Sequence, residues 1–199
     1  MSVSERQLLD RLKELFEGSN YSHLRKVFAK VNLSTKEYGE IWSDWWEDEP
    51  PPREEVDLIL VFSDSEVSLI GVEVEHFRGK RSPYRGLEQV LSFGLFGFDS
   101  LVLRHIFDPE LENRSVERYV KAAGELIEKF KLPVVYIATK FSEDKFEFFF
   151  PFPSSYQYEI NSFLEFLLNY CKKKRNPLSD DDEVKRRRSV LKLILRIPG

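Results

Sequence analysis

Between Glu54 and Phe77 the chain reads EEVDLILVF, then Ser63, Asp64, Ser65 and Glu66, then VSLIGVEVEHF. β-Branched and aromatic residues fill both runs, and the residues between them are turn formers. The segment therefore predicts a hairpin, with one strand over 56–62 and a second over 67–77. Apolar side chains fall on both faces of these runs, so the strands need cover on both sides. That requirement restricts the fold to a sheet enclosed by helix layers. Just upstream, Pro50, Pro51 and Pro52 stop any helix.

The remaining segments supply that cover. Leu8, Leu9, Leu12, Leu15 and Phe16 recur at helical spacing over 4–17, and Ser4 with Gln7 forms a capping-box pattern. A second helix is expected from Tyr21 or Ser22 to about Val31. A third, opened by Ser34, would carry Tyr38, Ile41, Trp42, Trp45 and Trp46. Downstream come a loop over 78–83, a helix over 84–95, a strand over 100–107 and a helix over 114–130. Strands over 132–139 and 145–150 and a helix over 159–173 follow, then a polar, mobile connector over 174–183 and a basic helix over 184–196. Strands alternating with helices after a hairpin predict an α/β fold, a mixed central β-sheet flanked by helices. One domain is expected over 1–173, with a basic extension over 174–199 that acts as an appendage or an oligomer contact.

The chain is 199 residues long with a net charge of −4, which argues against a generic basic coat for nucleic acid. The charge is uneven. Residues 37–55 hold eight acids and one base, whereas 172–199 hold ten bases and four acids. Cys171 is the one cysteine, so no disulfide can form within the chain and no cysteine zinc site can be built. No apolar run reaches the length of a membrane span, and the first twenty residues lack a signal-peptide pattern, so a cytoplasmic protein without membrane contact is expected. Many Lys, Glu and Arg beside few amides and a single Met follow a thermophile's habit. No Gly-rich phosphate loop is present, so no nucleotide cofactor is expected.

Chemistry concentrates in the hairpin. Period two puts Glu73 and Glu75 on one face of an otherwise apolar strand. Two like charges there are costly unless a cation or a partner neutralises them. A turn near 63–66 sets Asp57 beside Glu73, and register decides whether all three carboxylates converge. Hard oxygen donors of this kind suit Mg²⁺ or Mn²⁺. Pairing with arginines in a structural network accounts for the same acids without metal.

The pattern Val56-Asp57-Leu58 followed by Glu73-Val74-Glu75 resembles that of the PD-(D/E)XK nuclease superfamily, the restriction-endonuclease-like fold. The likeness covers roughly residues 34–140, with a helix before the hairpin and a helix and strand after it. Gly86 to Phe93, with Gln89 and then Phe93 four residues on, looks like the Gln-x-x-x-Tyr element of the recombination-type exonuclease branch. Two departures stand out: Glu75 occupies the place of the usual Lys, and Val56 precedes Asp57 where Pro is usual.

The resemblance implies a Mg²⁺-dependent nuclease acting on DNA, in repair, recombination or defence. Asp57, Glu73, the Val74 carbonyl and Glu40 would serve as metal ligands. Glu75, Gln89 and Lys80 would share the catalytic work. Arg78, Lys80, Arg81 and Arg85 would contact nucleic acid, with Arg85 four residues before Gln89 on one helix face. A homodimer would allow two strands to be cut. The alternatives are a nuclease-fold protein that binds nucleic acid or a protein without cutting, and a structural protein whose acids form internal ion pairs.

Other groups have simpler expectations. His76 and His105 read as core histidines, and Trp42, Trp45 and Trp46 as a core stripe that could also stack on bases. Phe148, Phe149 and Phe150 read as a core or edge strand, or as a dimer surface. Lys172–Arg175 and Arg186–Arg188 read as solvated faces or phosphate contacts.

Overall fold

A computed structural model of the chain describes residues 4–39, 54–79, 81–142, 145–151 and 156–197. The first helix, α1 (Glu5–Glu17), starts at Ser4, whose hydroxyl accepts from the Gln7 N–H while the Gln7 side chain accepts from the Ser4 N–H. This closes the expected capping box and satisfies two donors that a helix start otherwise leaves open. Leu8, Leu9, Leu12 and Phe16 are buried along one stripe.

Among the described residues seven strands follow: β1 (Leu24–Asn32), β2 (Glu55–Phe62), β3 (Leu69–Phe77), β4 (Ser100–Phe107), β5 (Val134–Ser142), β6 (Lys145–Phe150) and β7 (Tyr156–Tyr158). They lie in one sheet in sequence order. β1, β2 and β3 run antiparallel, β3, β4 and β5 parallel, and β5, β6 and β7 antiparallel. The sheet is therefore mixed. Its parallel crossovers carry α2 (Leu87–Ser92), continued by a 3₁₀ turn Phe93–Phe96, and α3 (Asn113–Lys129). The C-terminal helices are α4 (Ile160–Lys173) and α5 (Asp182–Ile194).

Helices cover both faces of the sheet, as the two-sided apolar runs require. On one side α1 and α4 pack Leu12, Phe16, Phe163 and Leu167 against Leu58, Leu60, Ile70, Val72 and Val74. On the other, Val90, Phe93, Val120, Ile127 and Leu191 pack against Ile59, Leu69, Phe77, Leu101 and Leu103. Each such side chain contributes at most about 1.5–3 kcal/mol on burial.

One helix expected from the sequence is a strand. Residues 24–32 form β1 rather than a helix: Leu24, Val27 and Val31 have helical spacing, but pairing with β2 decides their conformation. The charged, half-exposed β1 is an edge strand of the kind that resists further pairing. Of the helix expected from Ser34, the described residues show a 3₁₀ turn at Lys36–Tyr38, and Trp42, Trp45 and Trp46 lie outside them. The Phe run is core, one of the expected readings, since Phe148 and Phe149 are buried.

Residues 174–197 also contribute to the core. Asn176 is buried and donates to the Gly94 and Phe98 carbonyls at 2.9 Å each. Leu191 and Leu195 join the cluster under α2. Arg187 donates to the Leu95 carbonyl, and Arg188 pairs with the buried Asp99, so two of the three residues in the Arg186–Arg188 cluster face inward. Among the described residues no helix is long and apolar enough to cross a membrane.

Candidate functional site

Strand alternation places Ile70, Val72 and Val74 toward α1 and α4, while Leu69 and Phe77 face α2 and α3. Glu73 and Glu75 share the phase of Leu69 and Phe77, so both carboxylate stems point toward the α2 layer. The turn before α2 sits directly on them. A Cβ on Gly86 would come within 3.0 Å of both Glu73 Cγ and Glu75 Cγ, and within 2.9 Å of Leu103 Cδ1. Gly86 also has φ +73°, so glycine is required twice over, by backbone conformation and by contact.

Asp57 enters from β2. The β2–β3 ladder runs as far as Leu58 opposite Val72. One step further the Val74 N–H is taken by Asp57 Oδ2 at 2.8 Å. The carboxylate thus occupies the gap where the two strands part. It also lines a polar hollow toward α1 with Glu5, Arg6, Lys30 and Glu55. Asp57 lies beside Glu73, as the turn predicts, but its reach is divided between the two sides of the sheet.

All three acids are buried. Burial holds the Glu73 proton far above the ordinary carboxylate range, and the charges of Asp57 and Glu75 add to this. Asp57 is raised by burial against the opposing pull of the Val74 N–H. Glu75 is raised by burial and lowered by Arg85, whose Nε donates to Glu75 Oε2 at 2.8 Å. Glu73 Oε2 has no hydrogen-bond partner. A buried carboxylate oxygen left open beside two more carboxylates is the arrangement that a cation relieves. The donors are hard oxygens, which fit Mg²⁺ or Mn²⁺. Among the described residues, however, no three His, Cys, Asp or Glu groups are gathered as ligands. Asp57 accepts from Val74 through Oδ2 and Glu75 from Arg85 through Oε2.

Gln89 donates through Nε2 to the Glu55 carbonyl at 2.7 Å, which ties α2 to β2 beside the acids. It lines a cleft of about 740 Å³ with Asn32, Glu54, Glu55, Gly86, Glu88 and Ser92. Ser92 Oγ donates to Glu54, whose pKa burial pushes up. Arg85 does not share a helix face with Gln89, because α2 begins only at Leu87. Arg81 acts on Glu75 through its charge, and Arg78 donates to His76 Nδ1 at 3.3 Å. Lys80 and Glu40 lie outside the described residues.

One support of the site is His105. The parallel register sets it beside Glu75. Its Nε2 lies 3.1 Å from the Arg85 carbonyl and its Nδ1 3.0 Å from the Tyr136 hydroxyl. A carbonyl only accepts, so Nε2 carries the hydrogen and Nδ1 accepts from Tyr136. Burial pushes the His105 pKa down to about 4, in keeping with this neutral tautomer. A chain of bonds thus runs from Tyr136 through His105 to the backbone of Arg85 and on to Glu75.

Compared with known proteins, the chain matches no family model, and no curated protein is significantly similar to it in sequence.

Proposed function

We propose that this chain is a Mg²⁺- or Mn²⁺-dependent nuclease with a restriction-endonuclease-like core that hydrolyses DNA phosphodiester bonds. The observation that carries the proposal is Glu73: buried, with Oε2 unbonded, between Asp57 and Glu75. An unbonded buried carboxylate oxygen beside two further acids is a place where a cation would be favoured. The order of elements supports it too, since α1 and β1 precede the Asp57–Glu75 hairpin and a helix and a parallel strand follow.

Asp57 and Glu73 would hold the metal. When bound, it would supply a water of lowered pKa and offset the charge that builds on the phosphate. Glu75, made more basic by burial, is placed to orient that water and take its proton. Arg85, half exposed and bonded to Glu75, provides the positive charge that the motif usually draws from Lys. Gln89 fixes α2 against β2 and so keeps Gly86 seated on the acid pair.

A second assignment, a nuclease-fold protein that binds without cutting, is favoured by the partners already held by Asp57 and Glu75. Calorimetric titration of Mn²⁺ into wild type and Asp57→Ala, followed by cleavage assays on labelled DNA, separates the two. Binding and cutting that both vanish in Asp57→Ala support the enzyme. Binding without cutting supports the second assignment, and absence of binding removes the metal site.

A further inference from the structure

We propose that the substrate is a single unpaired nucleic-acid strand rather than a duplex, laid along the turn 81–85 with Tyr84 as the ring on which a base stacks; this rests on the nuclease assignment above. Tyr84 is 48 % exposed, yet its backbone is fixed. Its N–H donates to Ser82 Oγ at 3.3 Å, its carbonyl accepts from Leu87 at 3.3 Å, and Pro83 restricts the turn from within. Two residues on, Gly86 is wedged on the stems of Glu73 and Glu75. An aromatic side chain is therefore displayed from a rigid base, one peptide away from the arginine that touches the acid site.

Charge differs sharply on the two sides of Gly86. On the turn side stand Arg81 and Arg85, both of which bear electrostatically on Glu75. The phosphates flanking a stacked base would meet these two guanidinium groups. On the α2 side the cleft carries Glu54, Glu55 and Glu88, and none of its described lining residues is basic. A duplex brings phosphates on both strands, so its second strand would face this acidic wall and be repelled. A duplex also keeps its base faces stacked on one another and offers Tyr84 none, whereas a free strand offers both the base face and a single line of phosphates.

The test is fluorescence anisotropy with a labelled DNA oligonucleotide, alone or annealed to its complement, in Ca²⁺ so that binding is read without turnover. Cleavage of the same samples is then measured in Mg²⁺. The single strand should bind more tightly than the duplex. Tyr84→Ala should weaken the single strand about tenfold, and Tyr84→Trp should restore it. Glu88→Lys, which reverses one charge of the wall, should improve duplex binding. A duplex held as tightly as the single strand, or a single strand held equally by wild type and Tyr84→Ala, overturns the inference and leaves the nuclease assignment standing. Binding of neither form, with no cleavage in Mg²⁺, overturns both.

Discussion

Glu73 is 5 % exposed and keeps its proton above the ordinary carboxylate range because of burial first and the charges of Asp57 and Glu75 second. In the unfolded chain it loses that proton near pH 4. Above that pH the folded form binds more protons than the unfolded form, so this group subtracts stability as pH rises. Glu73→Gln removes the titration and keeps the shape. It should stabilise the protein by roughly 2 kcal/mol at pH 8, with the gain shrinking toward pH 4.5. Urea unfolding at the two pH values measures this, and a variant no more stable than wild type at pH 8 would refute it. His105 works in the opposite direction. Its pKa falls from 6.5 to about 4 on folding, so between those values the unfolded chain binds the extra proton and stability declines as pH drops. Replacing it with Gln should flatten that window by roughly 3 kcal/mol, read from the difference between the two acid-unfolding curves. Period two alone made Glu73 and Glu75 visible in the sequence, and the turn position put Asp57 beside them. The bonds of Glu75 to Arg85 and of His105 to Tyr136 were not legible, because they depend on the parallel register of three strands, which no local period records.

At the scale of elements, the strands of the hairpin and the helices α1, α3 and α4 follow directly from apolar periodicity, since each presents one continuous buried stripe or run. β1 does not, because nine residues with Leu24, Val27 and Val31 satisfy a helical spacing until β2 offers them a ladder. α5 is a different case: its charge concealed its role. Arg188 reaches Asp99, a fully buried carboxylate that also accepts from the Ser68 N–H at 2.9 Å and the Leu69 N–H at 2.8 Å. Gly97 lies so close that a Cβ there would stand 2.5 Å from Arg188 Cβ. A basic helix is thereby fastened to the start of β4, and its inward arginine holds the fastening. Arg188→Met should leave Asp99 without its cation and cost about 3 kcal/mol, measured by urea unfolding. Hydrogen exchange should rise over 182–194 more than elsewhere. A loss below roughly 0.5 kcal/mol would mean that α5 is only an appendage.

On the scale of the whole molecule, the fold devotes its best-packed strands to a site that weakens it. β3 is buried along its whole length, yet it carries two carboxylates in its centre, and β2 adds a third where the ladder opens. A globular domain selected for stability alone would fill these positions with apolar side chains. Arg85 offsets Glu75 in part, and on the proposed function a bound cation would offset the rest. Divalent ions should therefore act as stabilising ligands of the folded state: at a free concentration 100 times Kd the gain is about 2.7 kcal/mol. For a chain of this size that corresponds to a rise in Tm of roughly 5–10 °C. Mn²⁺ or Mg²⁺ added at pH 8 should raise Tm in wild type and be reversed by chelation. The rise should be absent in Asp57→Ala and Glu73→Gln, although the second variant starts from a higher Tm. It should also weaken toward pH 5, where protons compete for the same oxygens. Equal shifts in wild type and both variants would place the cation elsewhere on the surface. With no shift in wild type, the strain at Glu73 would have to be explained without metal.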